Sequence, residues 1–192
     1  MLVLISLFSF LLGAIPFGVL IGKLYNIDLT QTGSGNTGAT NVARTLGMGP
    51  AILVFSLDFL KGTLSALIAY LLIGTSTSIG FASFFAILGH MYSPYLNFKG
   101  GKGVATGIGA MLVIAPDIFF ISFATWIIIF SLKKYVSLAS IIVAGLTIIL
   151  MIVFRKPLML DLAVIACSAL VLYKHSPNMK RLLEGTENSF KK

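Results

Sequence analysis

Long apolar runs separated by short polar stretches dominate the chain. A run of about 20 apolar residues is long enough to cross the hydrocarbon of a bilayer as a helix. Runs of roughly this kind lie at 2–22, 48–73, 79–96, 104–132, 136–154 and 158–173. The pattern predicts an all-α polytopic membrane protein that forms a single integral-membrane domain over residues 1–192.

The run at 104–132 is too long for one crossing. As a single helix it would measure about 44 Å, against a hydrocarbon core of about 30 Å. Pro116 removes a helical hydrogen bond and Asp117 is unfavourable in lipid, so we expect two short helices that meet at this point. The chain should then have about seven transmembrane helices, with the N-terminus outside and the C-terminus in the cytosol.

The distribution of lysine and arginine supports this topology. With seven spans, eleven of the fourteen basic residues face one side, two face the other, and Lys61 lies within a span. Treating 104–132 as one crossing would give a split of six against seven. Since basic residues collect in cytoplasmic loops, the polar stretches 25–47 and 97–104 and the tail 174–192 are expected to face the cytosol.

Composition narrows the class of protein further. The chain is 57% hydrophobic and 10% charged, a balance that no soluble domain of this size could cover with polar surface. The formal charge of +8 is explained by membrane orientation, and the basic residues are scattered, so we expect no nucleic-acid partner. Two histidines and one cysteine are too few for a protein zinc site, and we expect no metal or cofactor.

The polar stretch Phe98-Lys-Gly-Gly-Lys-Gly-Val-Ala-Thr106 is the most informative motif. Glycines allow a ligand to approach the backbone closely, and consecutive N–H groups next to a lysine form a site for an anion, most often phosphate. Unpaired backbone groups are costly in hydrocarbon, so this loop must lie at the membrane surface or line a polar cavity.

A second glycine-rich motif runs from Gly33 to Arg44 and reads Gly-Ser-Gly-Asn-Thr-Gly-Ala-Thr-Asn-Val-Ala-Arg. If a short helix begins near Thr37, then Thr40 or Asn41 shares one face with Arg44. The helix N-terminus and Ser34 could then meet an anion end-on, with Arg44 as a flanking charge. The alternative is a flexible linker at the membrane surface, which this concentration of polar groups disfavours.

Three further polar features stand in or beside the apolar runs. Asp58 and Lys61 are three residues apart and can pair on one helix face, either as a functional pair or as a structural one. A histidine near the end of an apolar helix, such as His90, is more often a hydrogen-bonding anchor than a base. The tail adds His175 and Asn178, which offer neutral hydrogen bonding at the same membrane face as the glycine motifs.

Together the three motifs resemble the bacterial membrane acyl-phosphate:glycerol-3-phosphate acyltransferases, the PlsY family. The first and second motifs match at Gly33–Arg44 and at Gly89-His90 with Phe98–Thr106. The third matches at Lys174-His175 with Asn178, Arg181-Leu182, Gly185 and Glu187, although Pro177 and Met179 depart from the usual pattern. All three occur in order, so the resemblance covers nearly the whole chain.

The resemblance implies an enzyme that transfers a fatty acyl group from acyl-phosphate to glycerol 3-phosphate. The products would be 1-acyl-glycerol 3-phosphate (lysophosphatidic acid) and phosphate, in phospholipid biosynthesis at the inner (plasma) membrane. The residues it marks as catalytic are Ser34, Arg44, Lys102, His175 and Asn178. Those marked as substrate-binding are Gly33, Gly35, Asn36, Thr40, Asn41, His90, Lys99, Gly100, Gly101 and Gly103. Membrane lipid is the other expected partner.

Roles within this set follow the same resemblance. The segment 99–103 would bind phosphate. Ser34 and Arg44 would orient the second phosphate or the reacting carbonyl, and His175 and Asn178 would position the glycerol hydroxyls. The alternative class is a transporter of small anions or phosphate esters, since broken helices with glycine-rich loops are common there. Transporters usually carry internal repeats, and this chain shows none.

Overall fold

The computed structural model describes residues 1–190, and all its regular elements are helices. They are α1 (Leu2–Ala14), α2 (Phe17–Leu24), α3 (Ala39–Leu46), α4 (Met48–Leu72), α5 (Ser76–Met91), a 3₁₀ turn (Pro94–Leu96), α6 (Val104–Ile114), α7 (Pro116–Lys133), α8 (Val136–Val153), α9 (Leu158–Lys174) and α10 (Ser176–Leu183). The prediction of an all-α fold is confirmed. The last two residues of the predicted tail, Lys191 and Lys192, lie outside the described residues.

Proline places three of the helix boundaries. The long run at 104–132 divides at Pro116 into α6 and α7, as the sequence predicts. The first run breaks at Pro16, which separates α1 from α2. The third run ends earlier than predicted, at Met91, because the position before Pro94 disfavours helical backbone.

One end of the bundle gathers the polar loops, and we call it the loop face. Ser93 Oγ donates to the Ala14 carbonyl (2.6 Å) at the end of α1, and Lys174 Nζ donates to the Met91 carbonyl (3.2 Å) at the end of α5. The Phe190 amide donates to the Lys134 carbonyl (2.8 Å) just after α7. Helices α1, α5, α7 and α9 therefore end at the loop face, whereas α4, α6 and α8 begin there.

Length separates the helices into two groups. Within residues 1–190, four segments are long and apolar enough to cross a membrane: α1 with α2, α4, α7 and α8. The pair α9 and α10 is a fifth if it counts as one span bent by 53°. Helix α5 has 16 residues and α6 has 11, so α6 is about half as long as a full crossing requires.

Close helix contacts depend on glycine at the crossing points. A methyl group at Gly89 of α5 would overlap the Phe10 carbonyl of α1, and one at Gly13 would overlap the Ala86 carbonyl. Gly62 of α4 and Gly109 of α6 press in the same way on the Thr106 and Phe59 carbonyls. Small residues at helix interfaces are what allow backbones in a membrane to approach this closely.

Replacing Gly89 by alanine should therefore destabilise the bundle, because the added methyl group forces α1 and α5 apart. We expect a loss of about 1–3 kcal/mol, measured as a lower melting temperature in detergent. Gly145 of α8 is the matched control, since a methyl group there meets no atom within 4 Å. Gly145→Ala should stabilise by about 0.5–1 kcal/mol through helix propensity. Equal effects of the two substitutions would contradict this account of the packing.

Candidate active site

The glycine loop after α5 is fixed to the end of that helix. The Gly101 amide donates to the His90 carbonyl (3.1 Å) and the Gly100 amide to the Met91 carbonyl (3.1 Å). A side chain at Gly101 would overlap the His90 ring, and one at Gly100 would overlap the His90 carbonyl. These two amides are occupied by the protein itself, so the glycines set the position of the loop and their N–H groups are not donors to a ligand.

The backbone N–H groups that could bind an anion lie further along the chain, at the start of α6. Gly103 has a positive φ of +78° and precedes the first residue of α6. The first N–H groups of a helix have no partner within the helix, and the positive end of the helix dipole lies there. Lys102 therefore stands at a helix N-terminus, which is a favourable place for a phosphate.

The tail completes the surroundings of Lys102. Lys102 Nζ donates to Asn178 Oδ1 on α10, and Asn178 Nδ2 donates to Glu187 Oε1 (2.7 Å). Glu187 also accepts from Ser137 Oγ (2.8 Å) and from Arg181 Nε (2.7 Å). Asn178 is only 5% exposed, so this network is largely shielded from solvent. It joins the glycine loop, the start of α8 and the tail.

His175 lies at the corner between α9 and α10. Its Nδ1 lies 2.8 Å from the Val171 carbonyl, and a carbonyl can only accept, so Nδ1 carries the proton. The ring is 3% exposed. Nε2 of the neutral ring is then free to accept a hydrogen bond from a ligand.

Asn41 organises the first glycine motif. Its Oδ1 accepts from the amide (2.8 Å) and the hydroxyl (3.2 Å) of Ser34, and its Nδ2 donates to the carbonyls of Leu29 (3.1 Å) and Thr32 (3.0 Å). At 1% exposure, Asn41 is a buried structural centre of the loop and is not exposed to a ligand. The positive φ of Gly33 (+60°) lets the backbone pass close to the Asn41 carboxamide.

Arg44 lies in the last turn of α3, which begins two residues after the predicted start at Thr37. Its guanidinium donates to the Asn188 carbonyl (2.9 Å) and lies 5.2 Å from the centre of the Phe190 ring. Phe190 packs in turn against Phe130 of α7. Residues 187–190, which we call the tail strap, therefore connect Arg44 to the end of α7.

The positive charges of the site act on one another. Burial is the main reason that the pKa of Lys102 falls to about 8; the Glu187 carboxylate raises it, whereas the Arg181 and Arg44 charges lower it. Lys102 is therefore still mostly protonated at neutral pH. Burial also acts on Glu187, but hydrogen bonds from Asn178, Ser137 and Arg181 outweigh it and hold the pKa of Glu187 below its usual value.

An apolar groove opens immediately beside Lys102. Its volume is about 760 Å³, including the space open to the surroundings, and it runs between α6, α7, α8 and α9 with α5 behind it. Gly103 and Val104 line its end at the loop face, and Ile114, Phe119 and Ala163 line its far end. A cationic cluster and an apolar groove therefore share one boundary.

A buried ion group lies underneath the glycine loop. Lys61 Nζ is 2.7 Å from Asp58 Oδ1, which confirms the predicted pair, and it also donates to the Ile15 carbonyl (3.0 Å) at the break before Pro16. His90 Nδ1 is 3.6 Å from the same carboxylate oxygen. This group links α4 to the α1–α2 break and to the end of α5, and the His90 ring is buried within it.

The structure brings some of the predicted site residues together and separates others. Lys102, His175 and Asn178 meet, with Gly103 next to them, and Arg44 lies close enough to affect the charge of Lys102. Ser34 is exposed and is bonded to Asn41, whereas Lys99 is exposed and donates its amide to the Leu96 carbonyl. The remaining predicted substrate-binding residues, Gly35, Asn36 and Thr40, belong to the first motif; Asn36 Oδ1 accepts from the Gly38 amide.

Sequence reasoning did not place Glu187, Arg181, Ser137 and Phe190 in the site. Glu187 and Arg181 belong to the third motif, and their opposite charges were a usable signal. The sequence contains no comparable signal for Ser137 and Phe190. The role of a serine at the start of an apolar helix, or of a phenylalanine in a polar tail, depends on tertiary contacts.

Known proteins are similar to this chain over nearly its whole length. A family model for glycerol-3-phosphate acyltransferase matches residues 3–185. The glycerol-3-phosphate acyltransferase of Aquifex aeolicus (strain VF5) is 45% identical over 185 residues, covering 96% of this chain and 96% of that one. That of Trichlorobacter lovleyi is 42% identical over 185 residues, covering 95% and 94%.

Solved structures agree over almost the whole chain. The crystal structure of PlsY (YgiH), an integral membrane glycerol 3-phosphate acyltransferase, in its glycerol 3-phosphate form matches with a TM-score of 0.96 and 43% identity, covering 99% of this chain and 96% of that one. Its lysophosphatidic acid form matches with a TM-score of 0.93 and 42% identity, covering 99% and 95%.

Fold and similarity define a multi-pass membrane protein of the acyltransferase class. The chain belongs to the glycerol-3-phosphate acyltransferase family.

Proposed function

We propose that the protein transfers a fatty acyl group from acyl-phosphate to the hydroxyl of glycerol 3-phosphate, and releases lysophosphatidic acid and phosphate. The observation that carries this proposal is the shared boundary of the cationic cluster and the apolar groove: Lys102 faces the tail network, and Gly103 next to it lines the groove. Acyl-phosphate has both a phosphate and a long apolar chain. The proteins similar to this one are named for glycerol 3-phosphate, which supports the acceptor.

We further propose that the protein crosses the inner (plasma) membrane seven times. Its N-terminus would lie outside the cell, and the loop face would face the cytosol. The alternating directions of α1, α4, α5, α6, α7, α8 and α9 support the count, and nine basic residues on the loop-face side within residues 1–190 support the orientation. This orientation would place acyl transfer on the cytosolic side of the membrane.

Cysteine labelling in intact cells tests this orientation. Cysteine at exposed Lys99 should be shielded from a reagent that cannot cross the membrane, whereas cysteine at exposed Arg155 should react. The native Cys167 is buried and should add little background. Reaction of both positions from the same side would exclude the seven-span arrangement.

The proposed roles follow from the positions of the side chains. Lys102 and the N-terminus of α6 stabilise the charge that the leaving phosphate gains, which is differential stabilisation of the transition state. Arg44, held by the tail strap, binds the phosphate of glycerol 3-phosphate or the reacting carbonyl together with Ser34. Asn178 holds the Lys102 ammonium, and His175 Nε2 accepts a hydrogen bond from the attacking hydroxyl, which orients it.

The hydroxyl must lose its proton as its oxygen attacks the acyl carbon and the bond to phosphate breaks. Glu187 is a poor base, because both of its oxygens already accept hydrogen bonds and its pKa is depressed. A phosphate oxygen of the donor lies next to the reacting carbonyl by its own covalent structure. We therefore propose that the departing phosphate takes the proton, so that the protein contributes mainly positioning and charge.

The activity itself can be measured without a membrane gradient. Purified protein in detergent should convert labelled glycerol 3-phosphate and acyl-phosphate to a lipid-extractable product, which a small-anion transporter would not do. Acyl-coenzyme A should not replace the donor, because a thioester has no phosphate oxygen beside its carbonyl. Robust turnover with acyl-coenzyme A would exclude proton transfer to the donor, and no turnover with either donor would exclude the proposed reaction.

Lys102→Ala removes the ammonium group and should lower kcat by a factor of about 10²–10³, the usual cost of losing a preorganised charge. In the wild type, kcat/KM should be lost as the pH rises through about 8, where free Lys102 loses its proton. Lys102→Arg should move that loss to higher pH, because a guanidinium stays charged. A pH profile that is the same in the wild type and Lys102→Arg would show that another group controls the reaction.

A further inference from the structure

The far end of the apolar groove adjoins a cluster of buried residues. Its lining there includes Ala110 and Val164, and both also belong to a cluster of buried residues packed between α4 and α9. Ala115, Ile118 and Met151 of this cluster have no exposed surface. A chain that enters beside Gly103 would therefore meet a tightly packed floor.

The depth of the groove can be read from α6, which runs along it. Val104 lines the end at the loop face and Ile114 the far end. These residues are ten positions apart, so the groove is about 15 Å deep along the helix. This is about half of the ~30 Å hydrocarbon core, the depth of one leaflet.

The absence of a side chain at Gly107 keeps the groove open near the loop face. A methyl group at Gly107 would meet only Ile87 Cδ1, at an ordinary contact distance of 3.6 Å. By contrast, Gly109 two residues later presses on the Phe59 carbonyl of α4. The helix thus packs on one side and leaves space on the other, and only the second side lines the groove.

Ala163 marks the other end of the groove. It lines the groove and lies against Gly80 of α5, which is seven residues before the Ile87 that touches Gly107. Seven residues of helix correspond to about 10 Å. Gly107 and Ala163 therefore line the groove at two different depths.

We propose that the packed floor beyond Ile114 limits the length of the acyl chain that the enzyme transfers, and that Gly107 and Ala163 are the positions that determine chain-length specificity. The inference depends on the proposed function. A donor whose chain is longer than the groove must bend out between the helices or displace the floor, and either costs binding energy in the transition state. Shorter chains leave apolar surface uncovered and lose part of the burial gain.

The test is a competition assay with a mixture of octanoyl, dodecanoyl, hexadecanoyl and octadecanoyl phosphate. The lysophosphatidic acid products are separated by mass, which gives the ratios of kcat/KM among donors. Because all donors compete for the same enzyme molecules, the ratios do not depend on how much of a variant is folded.

Ala163→Leu fills the far end of the groove. The kcat/KM for octadecanoyl phosphate should therefore fall by about tenfold relative to that for dodecanoyl phosphate, which corresponds to about 1.4 kcal/mol. Gly107→Leu fills the groove near its mouth and should reduce dodecanoyl as well as the longer chains relative to octanoyl. Gly145→Leu on α8 is the matched control, since its side chain would meet no atom of the protein within 4 Å at Cβ, and its product ratios should equal those of the wild type.

Different failures have different meanings. If the wild type transfers no chain from any acyl-phosphate, the proposed function is wrong. The wild type could be active while Ala163→Leu and Gly107→Leu keep its product ratios or change them equally. In that case the groove does not determine the length of the acyl chain that is transferred. A shift with Gly145→Leu of the same size would also overturn the inference.

Discussion

The two hydrogen bonds between the glycine loop and the end of α5 are the constraint on which the site depends. Because the His90 and Met91 carbonyls accept from Gly101 and Gly100, the loop lies flat on the helix end and cannot take a side chain at either glycine. This fixes where Lys102 stands and where α6 begins. The bond from Gly101 also gives the His90 carbonyl a donor at the end of a buried helix, where an unmet acceptor is costly.

Beneath that loop, the ion group of Asp58, Lys61 and His90 connects three separate segments. Lys61 bonds to a carbonyl at the α1–α2 break, and His90 carries the backbone that holds the glycines. Charges inside a bundle are tolerated when each has a partner, and removing one partner leaves the other buried and unpaired. The break between α1 and α2 exposes the carbonyl to which Lys61 donates, so it helps to hold the ion group beneath the site.

Much of this could be predicted from the sequence. The apolar runs gave the helices, and Pro116 gave the division of the longest run, since both signals are local. The motif residues Lys102, His175 and Asn178 do meet. The roles of Gly100, Gly101 and Asn41 could not be predicted, because an N–H or a carboxamide in a sequence does not reveal whether it will bond to a ligand or to the protein. Phe190 was hidden for the same reason: its partners are more than fifty residues away in the chain.

The position of the tail strap in the chain has a consequence for folding. Glu187 neutralises part of the positive charge around Lys102, and Asn188 and Phe190 hold Arg44, yet all three follow the last helix. A chain with every helix packed but with the tail strap undocked would have three basic side chains close together without their carboxylate. The packing of the helices and the assembly of the charged site are therefore separable, and the second depends on residues that follow the last helix.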